Sequence, residues 1–230
     1  GTIIVYQQIQ FAKDRPVGYS RNGLMSVFMI TPDLYQHYVV IRNELLESGA
    51  ASSVATPAAP ITDIWSNNSG ISWKGKDPDM ESNFVTNQVT PDYGKTVGWQ
   101  IIQGRDFSAQ LASDSSAIIA NETAVKYMGL VNPIDEVITW NEHTFHIIGV
   151  VKDLIMGSPF STVQPTLFLL NDENIYTINI RLNQQANIND ALIKISGIFQ
   201  KYNPSVPFDY KFVDDVYEKK FTGETRIGTL

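Results

Sequence analysis

Apolar positions along the chain follow two periods, and the helical one is the easier to place. Leu34, Tyr38, Ile41 and Leu45 recur at steps of four, three and four, which puts them on one stripe of a helix. Thr31 and Pro32 open that run as an N-cap residue and a proline at the first helical position, and Gly49 is placed to end it. Ile188, Leu192, Ile195, Phe199 and Tyr202 form a second stripe, with Asn187 as its cap and Asn203-Pro204 as its stop. A shorter helix is expected after Asn121, ending at Gly129 with Pro133 beyond it.

Strand candidates flank both long helices. Residues 24–30 precede the first and 51–55 follow it; residues 175–182 precede the second and 207–213 follow it. One strand–helix–strand unit is therefore expected at each end of the chain. Two such units can share one sheet and bury their helical faces on it. The expected class is α+β, with the two units forming a ferredoxin-like lobe from residues 1–60 and 171–230.

Residues 61–170 differ in character. Asn, Ser, Gly and Pro are dense from 65 to 79, and strands are then expected at 71–74, 84–89, 117–120, 137–140, 144–151 and 166–170. Several of these carry β-branched or aromatic residues at period two. Asn141-Glu142, between Trp140 and His143, suits a tight hairpin turn. The segment is expected to be a strand-rich lobe inserted into the first, which leaves both chain ends on the outer lobe.

Composition narrows the function. The 230 residues are 43% hydrophobic and 18% charged with a net charge of −7, enough apolar material for one or two cores. No cluster of Lys and Arg suited to neutralising phosphates is present, which argues against nucleic acid. There is no cysteine, which removes disulfides, thiolate chemistry and Cys-based zinc sites. No apolar run reaches the roughly 18 residues of a membrane span. Gly1 is not a methionine, and Ile3-Ile4-Val5 runs straight into Tyr6 to Ala12 like the last turns of a helix begun earlier. The chain is thus expected to be excised from a longer protein, with helical ends at about 3–13 and 216–227.

Catalytic chemistry is hard to find. Gly70 to Asp77 (GISWKGKD) is one residue short of a phosphate-binding loop, but Asp77 stands where a hydroxyl is needed, and Pro78 follows. His143 and His146, three apart in an expected strand, project to opposite faces, and His37 lies elsewhere. Asp77, Asp79 and Glu81 lack the glycine turn and distal glutamate of a calcium loop. No G-x-S-x-G elbow occurs, and the adjacent Asp214 and Asp215 read as the start of the final helix. No catalytic, cofactor-binding or metal-ligating residue is assigned, and no cofactor is expected. Trp65, Trp73, Trp99 and Trp140 read as core and hairpin packing, with Trp65, in its polar loop, open to a partner surface.

Five segments, in order, resemble one family. Gln7 to Tyr19 (QQIQFAKDRPVGY) is similar to the membrane-proximal start of the periplasmic core domain in MacB/FtsX-type ABC transporter permeases, in the form found in Bacteroidetes-type genomes. Gly104 to Ser108 resembles its GRxF(S) turn, and Asn121-Glu122-Thr123-Ala124 with Gly129 and Asn132-Pro133-Ile134 its N-E-x-x-A…G…x-P-I-G segment. Ile147 to Asp153 resembles its I-x-G-V-V-x-D strand, Pro165 stands where a proline is usual, and Phe212 to Glu218 is similar to the stretch leading back to the membrane. Asp135 departs from the pattern, standing where glycine is expected.

The resemblance implies a non-catalytic periplasmic domain of an inner-membrane protein, tethered through flanking helices. It also implies a porter-like membrane-proximal lobe, a separate cytoplasmic ABC ATPase, a dimer of permeases and an envelope partner protein. By that resemblance the domain transmits ATP-driven movement of its helical stalk. The alternative left by the residues alone is a soluble periplasmic solute- or peptide-binding module, which requires a pocket of several hundred Å³ with convergent polar groups.

Overall fold

The computed structural model describes residues 2–28, 31–171, 173 and 176–227, with backbone alone for Thr2 and residues 223–227. Along the chain run α1 (Thr2–Asp14), β1 (Leu24–Phe28), α2 (Pro32–Gln36), α3 (Tyr38–Glu47), β2 (Ala51–Ala55), β3 (Asn67–Asn68), β4 (Ser72–Trp73), β5 (Phe84–Val89), α4 (Tyr93–Val97) and β6 (Ile101–Gly104). They are followed by β7 (Ala117–Asn121), α5 (Glu122–Met128), β8 (Val137–Trp140), β9 (His143–Val151), β10 (Thr166–Leu170), β11 (Thr177–Leu182), α6 (Ile188–Tyr202), β12 (Lys211–Phe212) and α7 (Val213–Ile227). The class is α+β. Expected strand residues 29, 30 and 175 lie outside the described residues.

The strands form two sheets. The smaller has the order β12-β1-β11-β2 and is antiparallel throughout. Its central pair joins opposite ends of the chain, from Leu24 against Arg181 to Phe28 against Thr177. Met25, Val27, Val54, Ile178, Ile180 and Leu182 point to one face, where Leu34, Ile41 and Leu45 of α2 and α3 and Ala191, Ile195 and Phe199 of α6 cover them. Full burial of each aliphatic side chain contributes about 1.5–3 kcal/mol, so this face is cohesive by area alone.

The helix expected from Thr31 to Gly49 is broken in two. At His37 the backbone turns to φ −102°, ψ 8°, separating α2 from α3, and the Thr31 side chain makes no cap bond. His37 Nδ1 lies 2.7 Å from the Asp33 carbonyl oxygen, and its ring packs 5.3 Å from that of Tyr202. Leu34, Tyr38, Ile41 and Leu45 are all buried despite the break, so burial tolerates it. The strand expected at 207–213 also shrinks, to Lys211–Phe212. Phe208 stacks between Phe199 (4.9 Å) and Tyr210 (5.3 Å), and Val213 already belongs to α7. The 71–74 strand is likewise only Ser72–Trp73, while α4 and β6 carry no periodic signal long enough to read.

The larger sheet runs β3-β5-β10-β7-β9-β8-β4, with β6 also paired to β9. Laid flat, its two end strands would stand roughly 29 Å apart at the usual strand spacing. Yet Ser69, Gly70 and Ile71 alone join β3 to β4, a link that spans at most ~14 Å. The sheet therefore curls into a half-barrel. Ile118, Ala120, Ile138, Ile147, Leu167 and Leu169 line one face with Ala124 and Met128 of α5 against them. Trp73 joins this core and donates its indole N–H to the Met128 carbonyl at 3.0 Å.

Turn geometry follows the residues. Asn141 and Glu142 both have positive φ (49° and 65°), the two-residue hairpin turn expected between β8 and β9. Asp135 also has positive φ, 68°, so an aspartate adopts here the left-handed conformation that favours glycine. Gly104 and Gly149 face one another across β6 and β9; a Cβ on Gly149 would lie 2.3 Å from the Arg105 carbonyl oxygen, which no side chain tolerates.

The second face of the smaller sheet meets the outer face of the larger one. Leu24, Ala55 and Val213 share a core there with Val85, Val89, Tyr93, Val151 and Phe168. Directional bonds lock the seam. Arg181 donates to the carbonyls of Thr96 (2.9 Å), Asn22 (2.6 Å) and Ser20 (2.7 Å), and Ser53 Oγ pairs with Thr96 Oγ1 at 2.6 Å.

Candidate functional site

The motif residues prove to be folding devices. Asn121 Oδ1 accepts from Ala124 N at 2.8 Å, capping α5, and from Thr166 N at 2.9 Å, while its Nδ2 donates to the Gln164 carbonyl. Asp153 accepts from Thr123 N (2.9 Å) and Thr123 Oγ1 (2.7 Å), and its own N–H donates to Glu122 Oε2 at 3.1 Å. The Asn-Glu-Thr-Ala segment and the Val-Val-Lys-Asp strand thus clasp each other. In the Gly-Arg-Asp-Phe-Ser turn, Arg105 makes a two-pronged pair with Asp114 at 2.7 and 2.9 Å, and Ser108 N adds a bond of 2.8 Å to the same carboxylate. The Arg105 bonds hold the Asp114 carboxyl below the usual carboxylate range. Burial pushes the neighbouring Asp106 up, even though it accepts the Trp99 indole N–H and the Phe107 N–H, each at 2.7 Å.

The rejected chemistry is disposed accordingly. Lys76 donates to the carbonyls of Asp77 and Met80, and Asp77 Oδ1 caps Asp79 N, so the near-phosphate loop is a self-satisfied turn. His143 and His146 are both exposed on β9, and His37 packs on Tyr202. Among the described residues no group of three or more His, Asp or Glu is arranged to hold a metal. Asp214 and Asp215 lie in the first turn of α7. Trp73 and Trp99 are buried and Trp140 half-buried; Trp65 is 53% exposed, with its ring edge-on to Tyr176 at 6.4 Å.

What remains is the seat of the two end helices. α1 and α7 lie side by side, and a small cluster separate from the main cores holds them. Ala12 of α1 and Tyr217 and Phe221 of α7 meet Ile155, Phe160 and Val163, all from the loop joining β9 to β10. The same loop is gripped by a cation from each side. Arg15, just past α1, donates to the carbonyls of Ser161 (2.8 Å) and Pro159 (3.3 Å). Lys220, on α7, donates to the Gly157 carbonyl at 3.3 Å and to the Thr62 carbonyl, with Asp63 Oδ1 at 3.4 Å.

Arg21 secures the start of α7. Its guanidinium lies 4.1 Å from the Tyr217 ring centre and pairs with Asp214 (3.2 Å) and Glu218 (3.3 Å). Burial raises the Tyr217 phenol above its ordinary range. Beneath the gripped loop lies a cavity of about 80 Å³, lined by Ile64, Leu154, Ile155, Met156, Val163 and Thr166 among others. In contrast, the outer surface of α1 exposes Ile3, Ile4, Tyr6 and Phe11. Among the described residues no helix is long and apolar enough to cross a membrane. Sequence reasoning placed the helical ends but missed Arg15, Lys220 and the loop they grip; Arg15 alone fell inside a recognised stretch, and nothing in period or spacing marks a backbone carbonyl as an acceptor.

Comparison with known proteins bears on this arrangement. The family described as the MacB-like periplasmic core domain matches residues 6–198. No curated protein sequence matches. Among solved structures, the periplasmic region of MacB from Actinobacillus actinomycetemcomitans superposes with a TM-score of 0.61 at 15% identity, covering 91% of this chain and 97% of that one. The extracellular domain of the noncanonic ABC-type transporter YknZ from Gram-positive bacteria gives 0.55 at 12% identity, covering 82% and 97%. A domain of a putative permease protein from Porphyromonas gingivalis gives 0.53 at 11% identity, covering 84% and 90%.

Proposed function

The chain belongs to the MacB-like periplasmic core domain family, and from that premise we propose that it transmits motion between a membrane-embedded permease and the envelope. The family is a non-catalytic, periplasmic module of inner-membrane ABC transporter permeases, which work with an ABC ATPase. On this reading the smaller sheet and its helices make a porter-like, ferredoxin-type lobe from residues 1–60 and 171–230, and residues 61–170 are the lobe inserted into it. α1 and α7 are the stalk, paired in a permease dimer driven by a separate cytoplasmic ATPase, and the inserted lobe meets substrate or an envelope partner.

The observation that carries the reading is the paired seating of α1 and α7 on one loop of the larger sheet, so that displacement of either helix reaches both sheets. The soluble binding module finds less support: the recess under the β9–β10 loop holds only about 80 Å³, and the recesses of about 320–540 Å³ elsewhere are open surface grooves, whereas small-molecule sites of that size enclose most of their ligand.

The test uses the intact permease with its ATPase in lipid nanodiscs. Spin labels at the exposed Val131 of both copies report the separation of the inserted lobes with and without ATP and vanadate. A shift in the wild type that disappears in Gln8→Pro, with the domain's thermal melt preserved, supports transmission through α1. A shift that survives the proline sinks that route.

A further inference from the structure

We propose that Arg15 and Lys220 are the coupling residues of the stalk: a pair of cations that hold the β9–β10 loop between them and pass the movement of α1 and α7 into the larger sheet. The inference rests on the transmission reading and names the contact through which it operates.

Four observations carry it. First, the two cations come from opposite ends of the chain yet bind carbonyls only two residues apart, Gly157 and Pro159, with Ser161 just beyond. Second, their acceptors on the loop itself are backbone oxygens, so the grip holds the path of the loop rather than one side chain. A lysine or arginine bonded to carbonyls does not depend on the protonation of a partner acid. Third, the loop is attached at one end to β9 and at the other to β10, strands that both pair with β7 in the middle of the larger sheet. A pull on the loop therefore enters the sheet at its centre. Fourth, the cavity of about 80 Å³ under the loop leaves room for the backbone to shift without driving side chains into a close-packed core.

The apolar part of the seat alone does not couple the helices in this way. Ala12, Tyr217, Phe221 and Ile155 provide contact that is non-directional, so a helix can slide across it. The cation–carbonyl bonds are directional and are lost within a small displacement, so they convert sliding into pull. Lys220 also ties the loop before β3 through Thr62 and Asp63, which extends the reach of α7 to the edge strand of the same sheet.

The decisive measurement is amide hydrogen exchange in the intact permease with its ATPase, nucleotide-free against ATP plus vanadate. In the wild type, peptides covering α1 and peptides covering residues 154–163 should both change on adding nucleotide. In the Arg15→Met/Lys220→Met double variant the α1 change should persist and the loop change should be lost. Lys220→Arg, which retains a donor, should keep it. If the loop responds to nucleotide in the double variant as in the wild type, the coupling assignment is wrong and the transmission reading stands. If neither α1 nor the loop responds in the wild type, the transmission reading itself fails. Should the double variant not fold, Arg15→Met alone decides: at least a twofold smaller loop response supports the coupling role, and an unchanged response overturns it.

Discussion

The two faces of the four-stranded sheet are built on different principles. Toward α2, α3 and α6 the strands present Met25, Val27, Val54, Ile178, Ile180 and Leu182, all apolar and all buried. Toward the half-barrel the same strands present, beside the apolar Leu24 and Ala55, the polar Ser26, Ser53, Thr177, Asn179 and Arg181, all buried except Arg181, which is half-buried. The first face gives cohesion, because apolar burial is favourable in any orientation. The second gives alignment, because Arg181 donates in three directions to Thr96, Asn22 and Ser20 and fits only one relative placement of the two sheets. A sheet whose one side holds its own helices and whose other side sets the position of a neighbour suits a domain in which two bodies must stay in register.

The comparison breaks most visibly on the helix side. Ile180→Ala removes a fully buried side chain between α3 and α6, and the expected loss is about 2–5 kcal/mol of unfolding free energy, read from denaturant melts. Ile195→Ala should fall in the same range. On the seam, Arg181→Met is expected to lose about 2–3 kcal/mol, since burial already disfavours the charged form and the three carbonyls repay it. A second effect separates the two. The Arg181 variant should raise amide exchange at Thr96 and in residues 20–23 without touching α6, whereas Ile180→Ala should loosen α3 and α6. If both variants loosen the same segments, the two faces are not distinct.

Much of this was legible beforehand because it rests on period and punctuation. The α6 stripe, the Asn187 and Asn121 caps, the left-handed Gly129 and the Asn141-Glu142 turn are local devices, and local devices are written in neighbouring residues. The break at His37 was not legible, because Leu34 to Leu45 keep one apolar stripe whether or not the helix is continuous. Nor was β12, where aromatic stacking of Phe208 and Tyr210 replaces strand pairing over residues that alternate well enough to read as a strand. The seat of the stalk lay further out of reach: Arg15, Lys220 and Gly157 are distant in sequence, and the bonds join side chains to backbone.

A smaller effect tests the Gly-Arg-Asp-Phe-Ser turn of the half-barrel through pH. Asp114 has a depressed native carboxyl, so the stability it contributes is present above the ordinary aspartate value of about 3.9 and is lost as pH falls through the lower native value. Asp106 has a raised carboxyl and runs the other way: its contribution is present below about 3.9 and is lost as pH rises through the higher native value. Asp114→Asn should therefore flatten the acid limb of the stability curve, and Asp106→Asn should remove a loss seen between acid and neutral pH. The Asp114 substitution should cost about 1 kcal/mol at neutral pH, because the Arg105 side chain it pairs with is 44% exposed and partly screened by solvent.

The smallest expected effect is the sharpest. Asn179 is fully buried in the middle of the sheet, directly across from Ser26, and neither its Oδ1 nor its Nδ2 has a hydrogen-bond partner among the described residues. Ser26 Oγ is in the same condition. An unmatched buried amide costs about 1–3 kcal/mol, and an apolar group of similar shape removes that cost. Asn179→Leu should therefore leave stability unchanged or raise it by about 1 kcal/mol, with the opposite sign to every other core substitution named above. A denaturant melt of the variant beside Ser26→Ala decides the point. Gain in both would mean that polar residues are kept on this face at the expense of stability, which a purely structural seam does not require. Loss of 1 kcal/mol or more in Asn179→Leu would mean that the amide is hydrogen-bonded to water, and the alignment now assigned to Arg181 would be shared with a wet layer between the sheets.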